Sequence, residues 1–377
     1  MGNPDGAVVT NNNTISFIAT GAPFHPMKGP MVSHTFRGMA NHGPMHWRGD
    51  RTGASTGDSL ELSAFKDFNV AFPGLVGRDT EISDADMQKF AEFSLALTYP
   101  PNPIRALNNE LSSTELAGKN IFTDDPNTGA DPINMIPATL TCNLCHKHDP
   151  VNGNFGTAGL STVEGPHVSQ EMKVPHLRNM YQKVGKFGNS GTFSTDATAY
   201  GDQIKGFGFM HDGGMDTLDK FLQGVVFKFD ASDPSLNDIK RGRVVEFMMV
   251  MDSEMAPIVG QQITLTASNA AMVNARINLL RTQAMVVSPR AECDLIVKGV
   301  IGGINRGYLM QSDGTYQSDL VSETLTDVAL RNLAAGGQTL TFTCVPPGSG
   351  NWMGIDHDED GTYDRDEIDA GTDPLAV

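Results

Sequence analysis

Five residues, Cys142-Asn143-Leu144-Cys145-His146, constrain this chain more than any other stretch. Two thiols at C-x-x-C spacing can reach the two vinyl groups of one porphyrin, and the next-residue histidine can offer its imidazole to the iron. The spacing therefore predicts one covalently attached haem c, held by Cys142 and Cys145, with His146 as proximal ligand. The competing readings are half of a zinc site and a redox C-x-x-C. Zinc needs a second ligand pair, and the remaining cysteines, Cys293 and Cys344, are far apart and not in C-x-x-C form.

A chain of 377 residues has room for two or three domains with their own cores. Its 40 glycines, 21 prolines and 7% aromatic content predict much loop around compact helices. The formal net charge of −17 argues against nucleic acid or an anionic membrane as partner. No apolar run approaches the ~20 residues that span a bilayer.

Covalent haem is normally attached in an oxidising, extracytoplasmic compartment, so Cys293 and Cys344 are expected to form a disulfide. Cys293, Leu295 and Val297 alternate as a strand does, as do Leu340, Phe342 and Cys344. Two buried free thiols are the alternative. A periplasmic or extracellular location is expected, yet Met1-Gly2-Asn3-Pro4-Asp5 has neither the basic region nor the apolar core of a signal peptide. The export signal is expected upstream of this chain, or the chain is a piece of a longer one.

One pattern occurs twice. Pro175-His176-Leu177-Arg178-Asn179-Met180 is followed by Gly208-Phe209-Met210-His211-Asp212-Gly213. Earlier, Pro30 to Thr35 and Phe36-Arg37-Gly38-Met39 precede Gly43-Pro44-Met45-His46-Trp47-Arg48-Gly49. Each copy has an apolar residue before Arg and a Met-His ahead of a turn glycine. Leu177 lies 31 residues after His146, and the same offset from Phe36 points to about position 5, where there is no cysteine.

This constellation resembles the bacterial di-haem cytochrome c peroxidase and MauG-like superfamily over about residues 20 to 255. The likeness is carried by Gly118-Lys119-Asn120-Ile121-Phe122, Cys142 to His146, Val174 to Met180 and Phe209 to Gly213. The first haem motif of that family is missing. Phe24-His25-Pro26-Met27-Lys28-Gly29-Pro30-Met31 with Met45-His46-Trp47-Arg48-Gly49-Asp50 resembles a subgroup often found in larger multidomain proteins. The resemblance implies that His46, Trp47 and Arg48 belong to a segment around a second haem, and leaves His25 in the same set.

The expected fold is mainly α, with cytochrome-c-like haem domains followed by a small β-rich module. Residues 1–105 would be a truncated first half, 106–259 the haem domain, 260–350 the β-rich module, and 351–377 a metal-binding loop and tail. Ser83-Asp84-Ala85-Asp86 starts a helix with Met87, Phe90, Ser94 and Leu97 on one face, ended by Pro100-Pro101. Further helices are expected over Leu111 to Phe122, from Leu218 to Val225, and from Ser235 through Ile239, Val244, Phe247, Met248 and Met251. Ile263 to Thr266 and Gln338 to Val345 alternate as strands, Ser312-Asp313-Gly314 signals a turn, and Ala271 to Ala284 suits a helix.

The resemblance implies a sixth iron ligand on the helix after the His-x-Gly turn, but the matching position is Val225, which cannot ligate iron. The iron is then five-coordinate or takes a ligand from elsewhere. Met210, His211 and Met215 are the candidates, each with a plainer reading: core packing for the methionines, a propionate or carbonyl bond for His211. Met248, Met249 and Met251 are read as packing. Arg178 either pairs with a propionate or forms an interdomain surface ion pair.

At the other end, Asp356-His357-Asp358-Glu359-Asp360-Gly361-Thr362-Tyr363-Asp364-Arg365-Asp366-Glu367 fits a twelve-residue calcium loop. Ligands are expected from Asp356, Asp358, Asp360, Thr362 (backbone), Asp364 and Glu367, with Asp369 and Asp373 as extensions. A solvated acidic tail is the alternative. Pro346-Pro347-Gly348 rules out an entering helix on this reading, so the loop resembles the dockerin or thrombospondin type 3 kind rather than a paired EF-hand sensor.

These readings converge on an extracytoplasmic c-type cytochrome with one haem and one calcium loop, working by electron transfer to a redox partner protein or a second haem domain. One rival is an oxidoreductase, a peroxidase or MauG-like haem oxidase that needs a second haem. The other is a haem-bearing structural part of an oligomer or larger surface assembly.

Overall fold

The computed structural model describes residues 31–47, 49, 60–124, 141–159, 161–163, 171–185, 206–211, 213–224, 227–230 and 233–376. His25, Arg48 and Val225 lie outside these residues. The chain divides into two units: Met1–Ile104 with Leu111–Glu254, and Arg105–Glu110 with Met255–Val377.

The first unit contains α1 (Leu60–Lys66), α2 (Ala71–Leu75), α3 (Asp84–Leu95), α4 (Ser113–Asp124) and α5 (Cys142–Cys145). Two small hairpins follow, β1 (His148–Asp149) with β2 (Asn154–Phe155) and β3 (Ser161–Val163) with β4 (Glu171–Lys173). Then come α6 (Met180–Lys183), α7 (Leu218–Leu222) and α8 (Pro234–Met249).

The polar residues before these helices do the capping their chemistry suits. Asp86 N–H donates to Ser83 Oγ at α3, Lys220 N–H to Thr217 Oγ1 at α7, and Ser235 N–H to Asp233 Oδ1 at α8. On α3 the buried face runs through Met87, Ala91 and Ser94; Phe90, expected there, is 41% exposed. Ile239 of α8 is likewise half exposed, while Val244, Phe247 and Met248 go inside. Phe247 meets Phe122 of α4 edge-on at 5.5 Å between ring centroids, which ties α4 and α8 into one core.

The second unit is built on a six-stranded antiparallel sheet, ordered β5-β10-β6-β7-β8-β9. Its elements are β5 (Gln262–Leu265), α9 (Ala270–Ala284), β6 (Asp294–Ile301), β7 (Ile304–Met310), β8 (Tyr316–Ser318), β9 (Thr324–Leu325), α10 (Asp327–Ala335), β10 (Thr339–Val345), α11 (Gly350–Gly354) and α12 (Asp364–Ala370). Leu295, Val297, Leu340 and Phe342 turn to the face covered by Ile277 and Leu280 of α9 and Leu330 of α10. Cys293 and Cys344 are bonded as a disulfide between buried positions, Cα atoms 5.5 Å apart.

Two expectations are corrected here. The chain is mixed α/β, not mainly α: the sheet runs through β6, β7, β8 and β9, most of which the strand reading did not reach. Its centre is a tight hairpin in which Ile301 pairs with Ile304 and the connecting Gly302 and Gly303 take φ +60° and +84°. A two-residue turn with positive φ at both positions matches the twist of its strands, and glycine adopts it without strain. Second, a helix does enter the acidic loop. Pro346-Pro347-Gly348 only delays it, and the five residues of α11 form immediately afterwards.

Candidate functional site

His146 follows the single turn of α5, with its N–H on the carbonyl of Cys142 at 2.9 Å. Its Nδ1 faces two backbone oxygens, Gly156 O at 2.9 Å and Pro175 O at 3.2 Å. Carbonyls only accept, so Nδ1 carries the hydrogen and Nε2 keeps the lone pair. Burial holds the ring below the ordinary imidazole range, against those two bonds that pull the other way, and the nearby Lys183 charge adds to the lowering. A neutral imidazole with an oriented Nε2 is what metal ligation requires.

Gly156 makes this possible. It sits at φ +101°, and a Cβ there would lie 2.5 Å from Leu177 N. Leu177 N–H donates to Phe155 O at 2.8 Å and Gly156 N–H to Lys147 O at 2.7 Å, so the strand end is locked on both sides.

Cys142 and Cys145 are half-buried at the two ends of that turn, and burial pushes both thiols up to about 11. Cys142 packs against the core that contains Phe122, Leu177, Met215 and Met248, and Met210 packs there too. Met215 is buried, with Phe209 N–H donating to its carbonyl at 2.6 Å. Met210 holds a left-handed backbone, φ +68°. The Nε2 of His211 lies 2.9 Å from the carbonyl of Lys173 and donates to it.

Arg178 is 1% exposed and forms a buried pair with Glu254, not a surface one. Its Nη2 donates to Gly38 O and to His42 Nε2, both at 2.7 Å, and its guanidinium stacks 4.7 Å above the Phe155 ring. His42 stays neutral in this role: its Nδ1 donates to Ala40 O, and burial with the Arg178 charge holds it well below the usual range.

Sequence reasoning missed the rest of this network. Arg178 N–H donates to His176 Nδ1 at 3.2 Å, so His176 Nε2 carries the hydrogen and donates to Tyr99 Oη at 3.1 Å. Burial pushes Tyr99 up to about 12. Lys173 is fully buried, its Nζ donating to His42 O at 3.1 Å and Pro44 O at 2.5 Å. Residues 42, 99, 173 and 254 share no spacing, so no local signal could have joined them.

Around this network several buried polar atoms have no partner: Trp47 Nε1, His34 Nε2, Arg178 Nε and both amide atoms of Asn179. Buried polar groups are nearly always satisfied. Trp47 Nε1 and Arg178 Nε can only donate, and unmet donors of this kind fit a carboxylate-bearing cofactor such as haem.

In the second unit, Asp356, Asp358 and Asp360 bring carboxylate oxygens within 4.8 Å of one another. Among the described residues this is the one group of three His, Cys, Asp or Glu ligands so placed. Asp356 and Glu367 are 2% and 4% exposed, and Asp356 Oδ1, Asp358 Oδ2 and Glu367 Oε2 have no partner. The other oxygens brace the loop: Asp358 Oδ1 accepts from Asp360 N–H, Asp360 Oδ1 from Thr362 N–H, and Asp364 Oδ1 from His357 N–H. Asp369 pairs with Arg365, and Asp373 accepts from Leu375 N–H.

No helix among the described residues is long and apolar enough to cross a membrane. No family model and no curated protein matches the chain. Among solved structures, the chain is similar to Kuenenia stuttgartiensis hydrazine synthase pressurized with 20 bar xenon. Identity is 18% and the TM-score 0.36, over 59% of this chain and 74% of that one. At that level the similarity supports no reading of function, and the site residues must carry it.

Proposed function

We propose that this chain is a c-type cytochrome that holds one haem through Cys142, Cys145 and His146 and transfers electrons. The observation that carries the reading is the Nδ1 of His146, fixed by the Gly156 and Pro175 carbonyls so that Nε2 is presented as a ligand. Haem, when bound, supplies a one-electron couple whose potential follows its axial ligation, burial and hydrogen bonding. The residues here orient the imidazole, keep the thiols un-ionised until they are attached, and place Met210 and Met215 in the same core as Cys142. The resemblance to the di-haem peroxidase and MauG-like superfamily, the extracytoplasmic location and the need for a redox partner or second haem belong to the same proposal; the Cys293–Cys344 disulfide supports an oxidising compartment.

The test is to express the chain with a cytochrome c maturation system and measure the pyridine haemochrome and intact mass. One haem per chain, lost in C142A/C145A, is expected. A colourless chain that instead binds zinc through the two cysteines would overturn the reading.

We also propose that Asp356 to Glu367 binds calcium. Three unpartnered carboxylate oxygens, two of them on residues almost wholly buried, repel one another unless a cation lies between them. Calcium at 100 times its Kd should stabilise the fold by about 2.7 kcal/mol. E367Q and D356N should abolish that gain; thermal unfolding unchanged by calcium or chelator would refute the site.

A further inference from the structure

Lys183 stands at the end of α6 with its ammonium 5.6 Å from the centroid of the Trp47 ring. Among the described residues the Lys183 ammonium makes no ion pair and donates no hydrogen bond to a carbonyl or carboxylate. Its desolvation is not offset by any acid, and its charge reaches His34, His146 and His176, lowering the basicity of each. Trp47 is 7% exposed and its indole N–H is unpaired. His34 stacks on Trp47 with ring centroids 5.1 Å apart, and its Nε2 is unpaired as well. A half-buried ammonium thus lies beside an indole whose buried N–H has no acceptor, with the unpartnered Nε2 of His34 on the ring stacked against it. Leaving a buried donor such as the Trp47 N–H unmet is costly, and with an uncompensated ammonium beside it the arrangement calls for an anion with more than one acceptor position.

A carboxylate brings a negative charge for the ammonium and a second oxygen on the same carbon for the indole N–H, and such charge-assisted bonds are the stronger kind. We propose that Lys183, Trp47 and His34 form an internal carboxylate-binding pocket. The carboxylate comes either from the propionate edge of a tetrapyrrole held at His146 or from a free small carboxylic acid. Only the first source rests on the haem reading; the pocket itself rests on the unmet Trp47 N–H and the unpaired ammonium beside it. Arg178 is not part of it, because its Nη atoms are committed to Glu254, Gly38 and His42.

The chain has two tryptophans, Trp47 and Trp352, so a W352F background leaves Trp47 as its sole indole. Ultraviolet resonance Raman then reads hydrogen bonding at the Trp47 N–H. In the haem-loaded full chain a bonded N–H that does not respond to acetate assigns the carboxylate to the cofactor. In haem-free C142A/C145A, a bonded signature appearing only with added acetate assigns the pocket to a free acid. K183M should lose the bonded signature in whichever form shows it, and K183R should restore it. A free N–H in the haem-loaded chain together with no response of the haem-free chain to saturating acetate overturns the pocket. If maturation attaches no haem, the haem reading fails alone, and the acetate arm still decides the pocket.

Discussion

The Nδ1 of His146 stands 2.9 Å from the carbonyl oxygen of Gly156, and a residue with a side chain could not bring its carbonyl there. At φ +101°, with Leu177 N 2.5 Å from where Cβ would be, Gly156→Ala should cost about 1–3 kcal/mol, read as a lower denaturant midpoint. The same variant should lower the fraction of chains carrying haem, because the imidazole loses its shorter support. Unchanged stability and unchanged haem content would show that the Pro175 carbonyl suffices.

Arg178 and Glu254 form a pair whose cationic half is 1% exposed, so removing either partner leaves a charge or a set of donors stranded. Arg178→Met should destabilise by about 3 kcal/mol or more, since Gly38 O and His42 lose their donor along with Glu254. Glu254→Gln should cost less. A double-mutant cycle by urea unfolding measures the coupling, and a coupling near zero would mean that the cation–π contact over Phe155 does the holding.

Burial pushes the Lys173 ammonium down to about 7 from an ordinary 10.5. Between those values the unfolded chain holds the proton and the folded one does not, so the unfolded state binds more protons. Stability should therefore rise with pH from about 7 to about 10 and lie at its lower level below pH 7, where both states are charged. Lys173→Met should flatten that slope in chemical unfolding curves. A rise of the same size in K173M would place its origin elsewhere.

The Cys293–Cys344 bond closes a stretch with a sequence separation of 51 between two buried positions of the second unit. Chain-entropy arguments assign such a loop about 4 kcal/mol. C293A/C344A should lower the unfolding midpoint of this unit accordingly, and reductant should do the same to the wild type but not to the variant. A variant as stable as the parent would mean that the α9 and α10 packing holds the sheet alone.

What the sequence by itself determined is local. C-x-x-C-H puts two thiols and an imidazole on one turn, alternating carboxylates crowd one loop, and Ser83, Thr217 and Asp233 sit where helix N-termini need acceptors. Each depends on residues within a dozen positions of one another, where covalent geometry alone fixes what can meet. Much of the sheet escaped that reading because β7 to β9 are short or half-polar, and their pairing pays off only when α9 and α10 cover one face. The surroundings of His146 escaped it for a stronger reason. Gly38, His42, Tyr99, Lys173, Arg178 and Glu254 are brought together by burial, and a buried charge acquires its partners from whatever backbone and side chains the packing delivers. Only the tertiary structure decides which nitrogen of His146 is left to bind, because the two oxygens that choose it belong to residues 10 and 29 positions away.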